Sequence, residues 1–118
     1  MGMIDNSTIQ SLERFLDLAS YRASLIANNM ANVDTPKYRT RDIDFGAELR
    51  RASAGLDAIS PQPQEVRGLT ERPDGNNVSL DREAMLLAET QLKFRTAVQL
   101  LRAEFHRLAT AITEGSRS

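Results

Sequence analysis

His106 is the one histidine of the chain, and cysteine is absent. Any Ser-His-Asp relay or nitrogen-ligated metal site would have to use His106. It stands beside Phe105 on a helix flank with Arg102 and Arg107 nearby, the setting of an ordinary surface residue. Asp42 and Asp44 fall on one face of an extended segment, as paired carboxylates for acid–base work would, but no second titrating partner accompanies them. Ion pairing with Arg39, Arg41 or a neighbouring subunit is the expectation. Asp74-Gly75-Asn76-Asn77 is similar to the start of a calcium loop, yet the later ligand positions and the closing glutamate are not at the required spacing, and a tight turn accounts for it. Lys37, Arg39 and Arg41 make the densest basic spot, a weak phosphate site with Asp42 and Asp44 beside it, which reads as a solvated loop. Asn6-Ser7-Thr8 and Asn77-Val78-Ser79 match glycosylation acceptors but serve more simply as helix starts. Neither an enzyme nor a cofactor or metal site is expected.

The composition limits what could position such groups. A chain of 118 residues with 5% aromatics and no tryptophan is one domain without a large core, so stability is expected to come from partners. A net charge of -1, with charges of both signs spread along the chain, gives no electrostatic case for nucleic acid or a lipid surface. The absence of cysteine removes disulfides and is compatible with any redox compartment. Met1-Gly2-Met3-Ile4-Asp5-Asn6 has no basic region followed by an apolar run, so no cleavable secretory signal is expected, and no window approaches a membrane span.

Two long helices bracket the chain. Ile9, Leu12, Leu16, Ala19, Ala23, Ile26 and Met30 alternate three and four residues apart, a heptad seam on a helix from about Asn6 to Asn32, roughly 40 Å long. Phe15, Leu18, Tyr21 and Leu25 widen its apolar face enough for more than one neighbouring helix. Leu80, Ala84, Leu87, Gln91, Phe94, Val98, Leu101, Phe105, Leu108 and Ile112 repeat the pattern in a second helix, begun by Ser79 or Asp81 and followed by Gly115. Gln91 is the polar member, either a register-setting residue or one at a wet edge. Residues 46–77, with Gly46, Gly55, Gly68, Gly75, Pro61, Pro63 and Pro73, read as loop, with Val66 to Leu69 pairing briefly with 42–45 as a small hairpin. The fold class is therefore all-α dominated: an antiparallel coiled-coil hairpin of N- and C-terminal helices (1–32 and 79–118) joined by a loop-rich middle (33–78).

Residues 27–45 stop the first helix. Asn28, Asn29 and Asn32 compete for backbone hydrogen bonds, and Pro36 forbids helix at Thr35, so the chain leaves extended through Tyr38, Asp42, Ile43, Asp44 and Phe45. Ala27-Asn28-Asn29-Met30-Ala31-Asn32, then Thr35-Pro36 and Tyr38, resembles the N-terminal motif of the bacterial flagellar rod and hook axial proteins. Lys37 stands where relatives often carry glycine. Arg41 to Phe45 and Gly75-Asn76-Asn77-Val78 before the second helix narrow the likeness to a short proximal rod subunit. The resemblance implies a structural protein of the basal body, built into a helical tube that carries torque and encloses the export channel. It implies export without a cleavable signal peptide, a place in the periplasmic part of the rod, and partners among copies of itself, the rod protein FlgC, the adaptor FliE and the export gate. It also implies that Asn28, Asn29, Asn32, Thr35, Pro36, Tyr38, Asp42, Asp44 and Phe45 brace adjacent subunits. The seams alone would equally suit a cytosolic coiled-coil adaptor or an export chaperone.

Overall fold

The computed structural model of the chain describes residues 6–55 and 60–117, and side chains within 7–55 and 60–115. The segment Met1 to Asp5, on which the signal-peptide reading rests, lies outside the described residues, as does the Asn6 side chain. Helix α1 spans Asn6–Ala31, strand β1 Arg41–Asp42, helix α2 Phe45–Ser53, strand β2 Gln64–Glu65 and helix α3 Leu80–Arg117. The protein is a rod of 71 × 25 × 17 Å. Helix α1 packs along α3 and also meets α2 and β1, and β1 carries β2 as its strand partner. Among the described residues no helix is long and apolar enough to cross a membrane.

Every member of the expected N-terminal seam is buried or half-buried. Ala19 and Ile26 are sealed, and Ile9, Leu12, Leu16, Ala23 and Met30 are half-covered. On the flank, Leu18 is buried, and Phe15 meets Phe45 of α2 edge-on with ring centroids 5.0 Å apart. Lys93 of α3 places its ammonium 5.1 Å from the centre of the Phe45 ring, a cation–π contact that ties α2 to α3.

The second seam differs from the expectation by one residue. The most deeply buried row on α3 is Glu83, Thr90 and Ala97, spaced by seven, one position before Ala84, Gln91 and Val98. Gln91 is exposed, so its register-setting role within the chain does not stand; Phe94, Phe105 and Ile112 are 41%, 48% and 61% exposed, and Leu80 is 46% exposed. Leu87, Val98, Leu101 and Leu108 remain half-buried. The cause is that α3 is apolar over more than one stripe, and its register is chosen by polar residues that bury only where their bonds are met. Thr90 donates its hydroxyl to the Leu86 carbonyl at 2.7 Å, and Glu83 reaches across to α1.

Three further expectations are corrected. Residues 45–53 form α2 and are neither extended nor loop. Asp44 caps this helix, accepting from the Ala47 N–H at 3.1 Å, and Phe45, Leu49 and Ala52 follow at helical spacing. The helix stops at Gly55, whose φ of 86° is a left-handed conformation open to glycine. The strand pairing is Arg41 with Glu65 and Asp42 with Gln64, earlier in the chain than Val66 to Leu69, although Val66 N–H does bond the Thr40 carbonyl at 2.9 Å. Finally, α3 runs through Gly115 to Arg117, because Gly115 keeps a negative φ and forms no cap.

Ala97 is buried and Gln91 is exposed, which sets an order of effects. Ala97→Leu should destabilise the purified chain by about 1–3 kcal/mol through overpacking, and Gln91→Leu should change stability by less than about 0.5 kcal/mol. Urea unfolding of the two variants measures this, and the reverse order would restore the unshifted seam.

Candidate functional site

The residues that end α1 build a polar joint. Asn29, 1% exposed, has a side-chain amide that can donate twice and accept twice, and all four bonds are made. It donates to the Arg41 carbonyl at 2.8 Å and to Glu83 Oε1 at 2.6 Å. It accepts from the Tyr38 hydroxyl at 2.8 Å and from the Arg41 N–H at 3.1 Å. One side chain thus joins α1, the Tyr38 loop, β1 and the first turn of α3.

Charge extends the joint on both sides. Glu83, itself buried, takes Arg82 Nη1 at 2.6 Å on its other oxygen. Asp42 is held by Arg22 through two parallel bonds of 3.0 and 2.9 Å, with Arg82 3.9 Å away. The Asp42 bonds hold the Arg22 proton more tightly than usual, against the desolvation that burial imposes. Asp42 therefore pairs with Arg22 and Arg82, not with Arg39 or Arg41 as expected. Arg39 reaches Glu65 at 2.6 Å and Glu71 at 3.3 Å, so the basic spot at 37–41 is partly neutralised by its own chain.

The turn at 72–78 closes the joint from the other side. Asn76, fully buried, donates to the Asn32 and Thr35 carbonyls at 2.9 and 2.8 Å, and Arg72 donates to the Val33 carbonyl. These carbonyls belong to the turn that follows α1, where those of Asn32 and Thr35 also accept from the Thr35 and Tyr38 N–H groups. Asn76 also accepts from the Val78 N–H, and its own N–H bonds Asp74 Oδ1 at 3.0 Å, which makes Asp74 to Asn77 a tight turn. Asn77 accepts from the Thr40 N–H at 2.7 Å, and its carbonyl accepts from the Thr40 hydroxyl at 3.2 Å. Asn77 Nδ2 is buried without a hydrogen-bond partner among the described residues. Ser79 opens α3 by accepting from the Arg82 N–H at 3.3 Å.

The expected site residues separate into two sets. Asn29, Tyr38, Asp42 and Phe45 point into the chain. Asn28, Thr35 and Pro36 lie on the exposed rim with Asn32 half-covered beside them. There Asn28 donates to the Tyr38 hydroxyl at 3.0 Å, Asn32 to the Asn28 carbonyl at 2.8 Å, and Thr35 to Asn32 Oδ1 at 3.0 Å. Burial above all pushes the Tyr38 phenol above its ordinary pKa, and the Asn28 bond works the other way. Sequence reasoning missed Arg22, Thr40, Arg72, Arg82 and Glu83. Only Asn76 and Asn77 had a signal, two amides directly before a helix start. His106 is exposed and outside the joint.

Lys37 has φ of 66°, a left-handed conformation that costs a residue with a Cβ about 1–2 kcal/mol. It is held by its N–H bond to the Asp74 carbonyl at 2.8 Å. Opposite it stands Gly75, where an added Cβ would come within 3.3 Å of the Lys37 Cα. Lys37→Gly should stabilise the chain by about 0.5–1 kcal/mol, the relieved strain less the added freedom of the unfolded glycine; a lower thermal midpoint would refute this geometry. Asn29→Ala should cost about 3–5 kcal/mol, because it leaves a buried carboxylate short of a donor and the Arg41 peptide unpaired. Asn28→Ala on the rim should cost less than about 1.5 kcal/mol, and denaturant midpoints distinguish the two.

No family model matches the chain. The flagellar basal body rod protein FlgB of Bacillus subtilis is 32% identical over 124 residues, spanning 93% of this chain and 96% of the relative. The protein of that name from Cereibacter sphaeroides is 38% identical over 111 residues, 82% of this chain and 87% of its own. That from Escherichia coli is 27% identical over 133 residues, 94% and 96% of the two chains. With similarity of this depth running through both helices and the joint between them, the chain belongs to the family of flagellar basal body rod proteins FlgB.

Proposed function

We propose that this chain is a structural, non-enzymatic subunit of the flagellar basal body rod, working as an antiparallel coiled-coil hairpin of α1 and α3. The observation that carries this reading is the joint itself. The amide-rich stretch Ala27 to Tyr38, which resembles the axial-protein motif, is built into the hydrogen bonds that fix one long helix against the other. One crevice between the helices is lined by Ala19 and Ala23 with Thr90 to Arg102, and another by Leu12 and Phe15 with Leu92 to Leu100. Asn29 near the end of α1 bonds Glu83 at the start of α3, while Leu12 and Phe15 near the beginning of α1 share a crevice with Leu92 to Leu100, the order of antiparallel helices.

In this reading the hairpin forms the stiff wall of a helical tube that transmits torque and encloses the export channel. Asn29 has no hydrogen-bonding capacity left for another subunit, so bracing between subunits falls to the rim residues Asn28, Thr35 and Pro36 and to the outward faces of the helices. The neighbours would be copies of this chain, FlgC, FliE and, beneath them, the export gate, and the protein would reach the periplasm through the flagellar apparatus without a cleaved signal.

The test is complementation of a strain lacking this subunit, with immunoblots of purified basal bodies and of cytosol. Wild-type chain should appear in the basal bodies and restore swimming. Leu16→Asp and Leu101→Asp, which put a charge on half-buried seam positions, should lose both. Confinement of the wild-type chain to cytosol, or normal swimming of both variants, would overturn the reading.

A further inference from the structure

Asp74-Gly75 is the one step in the sequence where an aspartate or asparagine precedes glycine. Glycine places no Cβ beside its amide nitrogen, so that nitrogen can reach the preceding side-chain carboxyl and close a five-membered ring. In the closing step a bond forms between the Gly75 nitrogen and Asp74 Cγ. The hydroxyl of the protonated carboxyl departs with the amide proton as water. Water then reopens this succinimide. Attack at Cγ restores aspartate, whereas attack at the main-chain carbonyl leaves Gly75 joined through Cβ and Cγ, which is isoaspartate. One water is lost and one is regained, and nothing is oxidised or reduced.

The fold opposes ring closure at each group that takes part. Gly75 N–H donates to the Arg72 carbonyl at 2.9 Å, which resists loss of the proton that the attack requires. Asp74 Oδ1 accepts from the Asn76 N–H at 3.0 Å, which directs the carboxylate to the nitrogen beyond Gly75. The Arg72–Gly75 bond, with no positive φ at Asp74, makes a type I turn whose third residue sits near ψ of about 0°. Closing the ring swings that angle away and carries the Asp74 carbonyl off the Lys37 N–H, which it now accepts at 2.8 Å. Asp74 is exposed, so water is at hand once the turn opens.

We propose that Asp74-Gly75 is a site of spontaneous modification gated by the joint. It forms isoaspartate while the chain is unfolded and is protected once Asn76 and Arg72 have closed over the end of α1. Folding does not undo the product. Isoaspartate adds one main-chain carbon to the loop that the Arg72 N–H closes onto the Asn76 carbonyl at 2.8 Å. Room is short there, since an added Cβ at Gly75 would already stand 3.3 Å from the Lys37 Cα. Displacing Asn76 withdraws its amide from the Asn32 and Thr35 carbonyls. The turn therefore limits how long a chain can wait unfolded and still take this structure, whatever assembly it enters.

The test incubates the full chain at neutral pH in buffer and in denaturing guanidinium chloride. Tryptic peptide Gly68 to Arg82 is then followed by mass spectrometry with electron-transfer fragmentation, which locates isoaspartate at residue 74. Isoaspartate should accumulate there in denaturant, and at least about tenfold more slowly in buffer, where the reaction waits for the turn to open. Asp74→Glu, which would have to close a six-membered ring, should stay unmodified in both. Modified chain, separated by chromatography and returned to buffer, should melt at a lower temperature than unmodified chain treated alike. Absence of isoaspartate at residue 74 in denaturant, equal rates in the two media, modification of the Asp74→Glu variant at that residue, or an unchanged thermal midpoint would each overturn the proposal.

Discussion

The bond between Asn29 and Glu83 is the constraint from which the rest of the fold follows. A carboxylate 1% exposed is costly unless it is fully partnered, and Glu83, which has Arg82 beside it on α3, finds its second donor, Asn29, only when the first turn of α3 lies beside the last full turn of α1. That requirement fixes the rotation of α3. It turns Thr90 and Ala97 inward with Glu83, a heptad apart, and leaves the aromatic stripe of Phe94 and Phe105 outside. A helix that could have packed by any of several apolar stripes is thereby held in one register by a single polar contact.

The same amide organises the middle of the chain. By accepting from Tyr38 and from the Arg41 N–H, Asn29 sets the path on which β1, the Asp44 cap and α2 follow. Asp42, two residues into that path, locks onto Arg22, about two turns before Asn29 on α1, so the strand is anchored at both ends of its short length. The turn at 72–78 closes over the end of α1, with Asn76 and Arg72 giving side-chain donors to the Asn32, Val33 and Thr35 carbonyls just beyond the helix. The strained φ of Lys37 is tolerated because this surrounding network over-determines it.

An organisation of this kind suits an assembly component. The sealed apolar side chains are few and several are alanine, while polar residues are buried in similar number, so the interior specifies geometry more than it supplies apolar burial. The large apolar residues of α3 are spent on the outside. A chain stiffened at one end by a polar joint, with several large apolar residues of α3 left exposed, is suited to hold shape while its neighbours complete the burial.

Much of the architecture was legible in the residues. Heptad spacing fixed both long helices, the amides and Pro36 fixed where α1 stops, and Asp74-Gly75 fixed a turn, because each of these is a local preference that acts over a few residues. The short helix α2 was also written there, in Asp44 as a cap with Phe45, Leu49 and Ala52 at helical spacing, and was hidden by Gly46. Which stripe of α3 faces α1 was not legible, since periodicity is the same for every row of a widely apolar helix and the choice fell to Glu83, a charged residue with no sequence signal for burial. The partners of Asp42 lay beyond reach for the same reason: Arg39 and Arg41 are nearer in the chain, but on an extended strand they point elsewhere, and only the packing of α1 brings Arg22 to it. Local sequence determined which segments are helical and where they end; the burial of polar groups, which requires partners far apart in the chain, decided how those segments face one another.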